Sequence, residues 1–355
     1  MSSPDAFQAA VLRELGGALS IEQIAAPELA LGQVLVRLDY SGVCRSQLME
    51  VRGLRGADAW LPHLLGHEGS GEVIHTGPGV TKVAAGDQVI LGWIKGAGLD
   101  APGAIYGSDA GPVNSGPVTT FSEYVVAAES RVYPQPSVIT GPSAVLYGCA
   151  LLTGAGMAIN EIDLGSHDSV LVLGLGGVGM AALIGALSRC PAQVIAADPS
   201  AAKRALASRL GARHVLDPTA VDFLATVRDL TGGGADFCLE AAGSIQTIEL
   251  GFACLRPKSG SLVFASHPAA GELISLDPHD LIQGKSIRGS WGGACVPERD
   301  IPRIATAVQE LGIDLEILLE RSYLLGSISE AFTDLEAGTV VRPYIDLRPQ
   351  GVAGA

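Results

Sequence analysis

Apolar and polar positions change their period about two-fifths of the way along the chain. Up to roughly residue 150 the apolar positions come in short alternating or clustered runs between Gly and Pro breaks, as at 33–38, 71–74 and 87–91. Such runs predict a β-rich region. Residues 94–119 break the pattern, being rich in Gly, Pro, Ala, Ser and Asp without periodicity, and read as a long surface lobe.

From about 151 apolar strands alternate with helical stretches. Strands are expected at 169–173, 193–197, 214–216, 235–239 and 261–264. Helices are expected at 178–189, 199–210, near 219–230 and near 245–255, with Gly211 as a stop signal. Repeated strand–helix units predict an α/β fold with a doubly wound parallel sheet and right-handed crossovers. The last sixty or so residues mix a helix near 299–311 with short strands and are expected to fold back on the first domain. The strand at 261–264 is expected at a free sheet edge, where it could pair across a two-fold axis in a homodimer or homotetramer.

Composition narrows the function. With 355 residues, two domains are the default. A hydrophobic share of 48% with 17% charged residues describes a folded protein. The 23 basic against 37 acidic residues give a net charge of −14, which argues against a nucleic-acid partner. No run of about 18 apolar residues suits a membrane span, and the first residues lack a secretory pattern. Six cysteines without a CxxC pair do not form a disulfide framework, so a reducing, cytoplasmic location is expected.

Directly after the strand at 169–173 comes Gly174-Leu175-Gly176-Gly177-Val178-Gly179. Gly174 permits a tight turn, Gly176 lets backbone approach a pyrophosphate, and Gly179 permits close helix–strand packing, while Gly177 and Val178 open the helix. Asp198 ends the next strand, placed to bind both ribose hydroxyls and to repel a 2′-phosphate, so NAD is favoured over NADP. Lys203 either reaches the adenosine ribose or is a solvated helix lysine, and Arg204 is expected at the surface.

Cys44, His67 and Cys149 lie upstream of that loop. Taken singly, the cysteines read as small buried hydrophobes and the histidine as a core residue. Together, two thiolates and an imidazole suit Zn²⁺ and leave a fourth position open.

Their motif contexts carry a resemblance: GVCRS within 42–46, GHEGSG at 66–71, GDQV at 86–89, GCALLTG at 148–154, GLGGVG at 174–179 with Asp198, and VRPYIDL at 341–347. In this order, over nearly the whole chain, they resemble the zinc-dependent alcohol dehydrogenases of the medium-chain dehydrogenase/reductase superfamily. The resemblance implies a β-rich GroES-like catalytic domain over 1–150 and 292–355, and a Rossmann NAD-binding domain over 151–291. It implies that Cys44, His67 and Cys149 hold one catalytic zinc, and that Ser46 takes the substrate hydroxyl proton. Glu68 would be a transient ligand or an ion-pair partner behind the metal. Arg45 and Arg342 would clamp the pyrophosphate, Thr153 would pack on the nicotinamide, and Trp93 would line the substrate pocket or lie in the core.

Three departures stand out. The family's structural zinc is held by four cysteines in a lobe that corresponds to 94–119, which here has none, so one zinc per chain is expected. Gln47 stands where the family has an aspartate that bonds the zinc histidine, and Met49 where some members have a relay histidine. His267, after the 261–264 strand, either orients a polar substrate or belongs to a solvent-side loop. His63, His75, His167, His214 and His279 lack motif support, and Cys190, Cys238, Cys254 and Cys295 read as core thiols. The expected reaction passes hydride between NAD and a primary or secondary alcohol with an apolar or aromatic part, giving an aldehyde or ketone. Alternatives are a thiol-adduct (formaldehyde-type) dehydrogenase, an enal reductase, or a non-catalytic NAD-binding scaffold.

Overall fold

The computed structural model describes residues 5–349. The chain forms two compact units. One comprises residues 1–149, 296–301 and 315–355, and the other 150–295 and 302–314. Boundaries expected at 150/151 and 291/292 thus shift, and residues 302–314 group with the second unit rather than the first.

The first unit opens with ten strands: β1 Phe7–Leu12, β2 Ser20–Ala25, β3 Gln33–Gly42, β4 His63–Leu64, β5 Glu68–Thr76, β6 Gln88–Gly92, β7 Ile105–Ser108, β8 Val113–Asn114, β9 Tyr124–Ala128 and β10 Val132–Pro134. The second unit contributes β11 Ser169–Leu173, β12 Gln193–Ala197, β13 His214–Leu216, β14 Phe237–Glu240, β15 Ser261–Phe264 and β16 Ser286–Gly289. The chain then returns to the first unit with β17 Ser322–Tyr323 and β18 Tyr344–Asp346.

In the first unit β1-β2-β7-β8-β4 close into a barrel, and a seven-stranded sheet runs β10-β6-β5-β3-β18-β17 with β9 also on β3. Its core is built from the inward alternate positions of these strands, such as Val34, Val36 and Leu38 of β3, all within 1% exposure. The 94–119 segment, expected as a long surface lobe, contains regular structure. It supplies β7 and β8 to the barrel, and Tyr106 is completely buried, its hydroxyl accepting from Val126 N–H at 2.8 Å. Strands of four and two residues are too short for alternation to be visible, which is why the segment reads as loop.

The second unit is a six-stranded, all-parallel sheet in the order β13-β12-β11-β14-β15-β16. β11 is buried at every residue and reads as a continuous apolar run, as a central parallel strand should. The strand at 261–264 is interior, paired on both sides, so the free edge belongs to β16 instead. β16 carries Ser, Arg and Gly and gives no strand signal of its own. Cys238, Cys254 and Cys295 are buried thiols, whereas Cys190 is exposed at a positive φ of 50°.

Among the described residues no single helix is long and apolar enough to cross a membrane.

Candidate metal centre and nucleotide loop

Cys44 follows β3 and occupies the N-cap of the helix Arg45–Val51, where its extended backbone (φ −107°) turns the chain. Gln47, at the third helical position, returns a bond to this cap: Cys44 N–H donates to its Oε1 at 3.2 Å. His67 sits between β4 and β5 behind Gly66, whose φ is +91°. A Cβ at Gly66 would come 2.4 Å from Thr120 Oγ1, so only glycine allows this approach. Cys149 ends the 3₁₀ segment Gly141–Gly148.

These three segments bring two sulfurs and a ring nitrogen within 4.8 Å of one another, with His67 Nε2 3.3 Å from Cys149 Sγ. Tetrahedral zinc, at about 2.3 Å from sulfur and 2.0 Å from nitrogen, needs ligand–ligand spacings of roughly 3.5–3.8 Å. The donor set and its spacing therefore fit the ion. Cys44 and Cys149 are 8% and 5% exposed. Cys44 is held well below the ordinary thiol range by a hydrogen bond from Cys149, helped by Arg342 and His67. The same bond, with burial, pushes Cys149 up.

Glu68 and Arg342 form a wholly buried ion pair beside this trio. Of the two readings of Glu68, the ion pair is the one present. Burial raises the Glu68 carboxyl, and Arg342 and His67 oppose that rise. Burial would lower Arg342, but Glu68 and the two cysteines raise it well above its ordinary value. Glu68 Oε2 and Arg342 Nε have no partner, so the pair has spare capacity. The Ser46 hydroxyl is likewise buried without a partner. Arg45, next to it, is exposed.

Gln47 reaches His67 Nδ1 through its amide nitrogen. Trp93 is half-buried and does not border the cavity beside His67. That cavity, about 600 Å³, is bordered by Gln47, His67 and Thr119, and also by Glu50, Asp58 and His63. The last three were not singled out by the sequence; their ligand atoms lie within 4.8 Å of one another. His63, expected as a surface or core residue, donates its Nδ1–H to Leu64 O at 2.9 Å and pairs through Nε2 with Asp58 Oδ2 at 2.7 Å. No motif marks them, since only the fold brings a helix, a loop and β4 together.

In the second unit the glycine loop joins β11 to the helix Gly177–Leu187. Gly174 has a φ of +89°, and a Cβ on Gly179 would come 1.7 Å from Gly174 O. A Cβ on Gly176 would meet nothing within 4 Å, so the space above the loop is open. Gly176 N-caps the helix without a side-chain cap, which leaves N–H groups available to an anion. Gly177 and Val178 form the first turn and are half-buried. Asp198 directly follows β12 and is 7% exposed. Its Oδ2 accepts from Leu175 N–H at 2.8 Å and its Oδ1 from Ser200 N–H at 2.9 Å, which locks the acid over the loop.

Arg204 is not a free surface residue: its Nη1 donates to Asp198 O, Pro199 O and Asp217 Oδ2, bracing that turn. Lys203 is half-buried, its N–H bonded to the Ser200 hydroxyl at 3.4 Å. Thr153 is 6% exposed with an unpartnered hydroxyl. His267 is exposed and meets Trp291 edge-on, centroids 6.3 Å apart.

Two family models match the chain: "Alcohol dehydrogenase GroES-like domain" over 30–137 and "Zinc-binding dehydrogenase" over 177–310. A geraniol dehydrogenase of Castellaniella defragrans is 32% identical over 95% of this chain and 97% of its own. An S-(hydroxymethyl)glutathione dehydrogenase of Komagataella pastoris is 28% identical over 96% and 97%. Among solved structures, benzyl alcohol dehydrogenase from Acinetobacter calcoaceticus superposes with a TM-score of 0.87 at 25% identity, covering 97% of this chain and all of the other.

Proposed function

The chain belongs to the zinc-dependent alcohol dehydrogenases of the medium-chain superfamily, and from that premise we propose that it oxidises an alcohol with an apolar or aromatic part, using NAD and one zinc at Cys44, His67 and Cys149. The class of reaction is common ground with its relatives: an oxidoreductase of alcohol CH–OH donors that uses zinc and NAD(P). The observation that carries the finer reading is the S–N–S trio with the free Ser46 hydroxyl nearby in the chain.

Bound at these residues, zinc supplies the Lewis acidity that makes a hydroxyl easier to deprotonate, and the nicotinamide supplies the hydride acceptor. Ser46, with no other partner, accepts the substrate hydroxyl proton at its Oγ. As zinc ligands Cys44 and Cys149 would be thiolates, and their charge would temper the electrophilicity of the site. Arg342 keeps Glu68 from becoming a lone buried charge, and with Arg45 it balances a pyrophosphate. Thr153 packs against the nicotinamide ring. Gly174 to Gly179 cradle the phosphates, Asp198 takes the ribose hydroxyls, and Lys203 assists at the adenosine side.

The geraniol and benzyl alcohol dehydrogenases among the relatives support an apolar or aromatic substrate body. The apolar part of the cavity wall, including Leu64, Leu65 and Val118, has the matching chemistry. We place the surface of a homo-oligomer at the free edge of β16 and the protein in the cytoplasm.

The test is kcat/KM for a panel of alcohols with NAD⁺ and with NADP⁺. Turnover of aromatic or terpenoid alcohols with NAD⁺ ahead of NADP⁺ is expected. An NADP⁺ preference would overturn the role given to Asp198, and no alcohol turnover by zinc-loaded protein would overturn the activity.

A further inference from the structure

Glu240 is the last residue of β14 and is completely buried. Among the described residues its partners are all neutral donors. Oε1 accepts from Ala242 N–H at 2.9 Å, Gly243 N–H at 2.9 Å and the Thr247 hydroxyl at 2.8 Å. Oε2 accepts from the Ser266 hydroxyl. A buried acid is ordinarily matched by a cation. Here hydrogen bonds alone answer it, and they come from the turn after β14, from the first turn of the helix Ile245–Ala253, and from the chain just past β15.

The same turn presses on the glycine loop. Ala242 N, the atom that Glu240 holds, would lie 2.5 Å from a Cβ on Gly174, and Ala241 Cβ would lie 3.5 Å from one on Gly179. On its other side, a Cβ on Gly243 (φ +87°) would come 3.2 Å from Ser266 Cβ. Residues 241–243 are thus wedged between the glycine loop and the end of β15, and they remain partly accessible while Glu240 is not.

The strand order gives this clasp a place in the nucleotide site. From β11 the sheet runs outward in two directions, to β12 and β13 on one side and to β14, β15 and β16 on the other. A dinucleotide lies across the carboxyl ends of the strands at such a reversal, with one nucleotide on each side. Asp198, after β12, marks the adenosine side. The other nucleotide then falls over β14 and β15, whose carboxyl ends Glu240 and Ser266 tie together.

We propose that Glu240 is a positioning residue for the nicotinamide half of the cofactor: its clasp on Ala242, Gly243, Thr247 and Ser266 holds the ends of β14 and β15 in the shape that this half needs before it binds. The inference rests on the NAD reading above and adds a residue too deeply buried to touch the cofactor itself. Without the carboxylate, two N–H groups and two hydroxyls lose a shared acceptor, and the turn is freed from the end of β15. The glycine loop keeps its own brace, the bond from Leu175 N–H to Asp198.

The experiment measures binding to the zinc-loaded full chain without turnover. NADH, followed by its fluorescence, probes both halves of the site, and ADP, followed by calorimetry, probes the adenosine half alone. Glu240→Ala should bind NADH about tenfold more weakly while its ADP affinity stays within about twofold of wild type. Glu240→Gln keeps an oxygen for Ala242, Gly243 and Thr247 and offers an N–H to the Ser266 oxygen, so it should restore most of the NADH affinity. Ser266→Ala, which cuts one arm of the clasp, should lose several-fold on NADH and nothing on ADP, and it reads the clasp even where Glu240→Ala fails to fold. Equal losses for NADH and ADP would overturn the inference by making Glu240 a general structural residue. Unchanged NADH affinity in the Ala variants would overturn it too, as would a Gln variant as weak as Glu240→Ala. Wild-type protein that binds neither ligand defeats the NAD reading as well.

Discussion

One amide at the metal trio serves two partners. Gln47 gives its oxygen to Cys44 N–H and turns its nitrogen to His67 Nδ1. A histidine that ligates through Nε2 keeps its proton on Nδ1 and needs an acceptor there. Metal loading therefore favours the amide turned over, oxygen toward the ring. Gln47→Ala removes that acceptor, and zinc affinity should fall about 10–100-fold, read by competition with a chromogenic chelator. Unchanged affinity would show that the ring is oriented by other contacts. A related argument applies to the Glu68–Arg342 pair, which is buried on both sides. Arg342→Met strands a carboxylate where solvent does not reach, so urea unfolding should show a loss of about 3–5 kcal/mol. Adding Glu68→Gln should restore part of it, because the double variant buries no charge. Both sites were half legible in the sequence. The motifs marked Gln47, Glu68 and Arg342, but that the last two pair is a tertiary fact. Glu50, Asp58 and His63 carried no motif, and their juxtaposition arises only once β4 lies beside the helix Arg45–Val51 and its following loop.

Among the elements, those with long apolar runs could be read directly, and those that borrow their order from a neighbour could not. β11 and β12 are buried throughout or nearly so, and their runs predicted them at the bounds observed. β7, β8 and β16 are short or polar, and only pairing with an already formed strand makes them strands. The first hairpin of the barrel shows how such pairing is reinforced. Arg13, just past β1, forks onto Glu22 of β2 with two bonds of 2.7 Å. That pairing holds the Glu22 carboxyl below the usual range, although burial opposes it. A carboxyl lowered by folding contributes stability above its unfolded pKa, about 4.3. The contribution is lost as pH falls through the lower folded value. Thermal melts of Glu22→Gln should therefore lie below wild type near neutrality and converge with it in acid, below about pH 4. Parallel curves at all pH values would mean that the pair contributes nothing through charge.

For the whole molecule, the question is what holds the 94–119 segment in place, since it contains no cysteine to bind a structural metal. β7 and β8 close the barrel from within this segment. Tyr106 is fully buried and bonded to β9, and Glu129 clamps Leu99 N–H at 2.6 Å along with two amides of the 81–82 turn. Order here comes from strand pairing and buried side chains, so it should not depend on a metal. Chelation of the single zinc should abolish alcohol oxidation, because Ser46 then has no activated hydroxyl to relieve of its proton. The same treatment should leave 94–119 as resistant to limited proteolysis as in the loaded protein, with cleavage sites mapped by mass spectrometry. New cuts inside this segment on chelation would show a second metal there. A metal content near one per chain that falls to zero, with the cleavage pattern unchanged, separates the two roles a metal can play in this fold. On that outcome a metal serves chemistry at Cys44, His67 and Cys149, while the barrel strands and Tyr106 hold the segment.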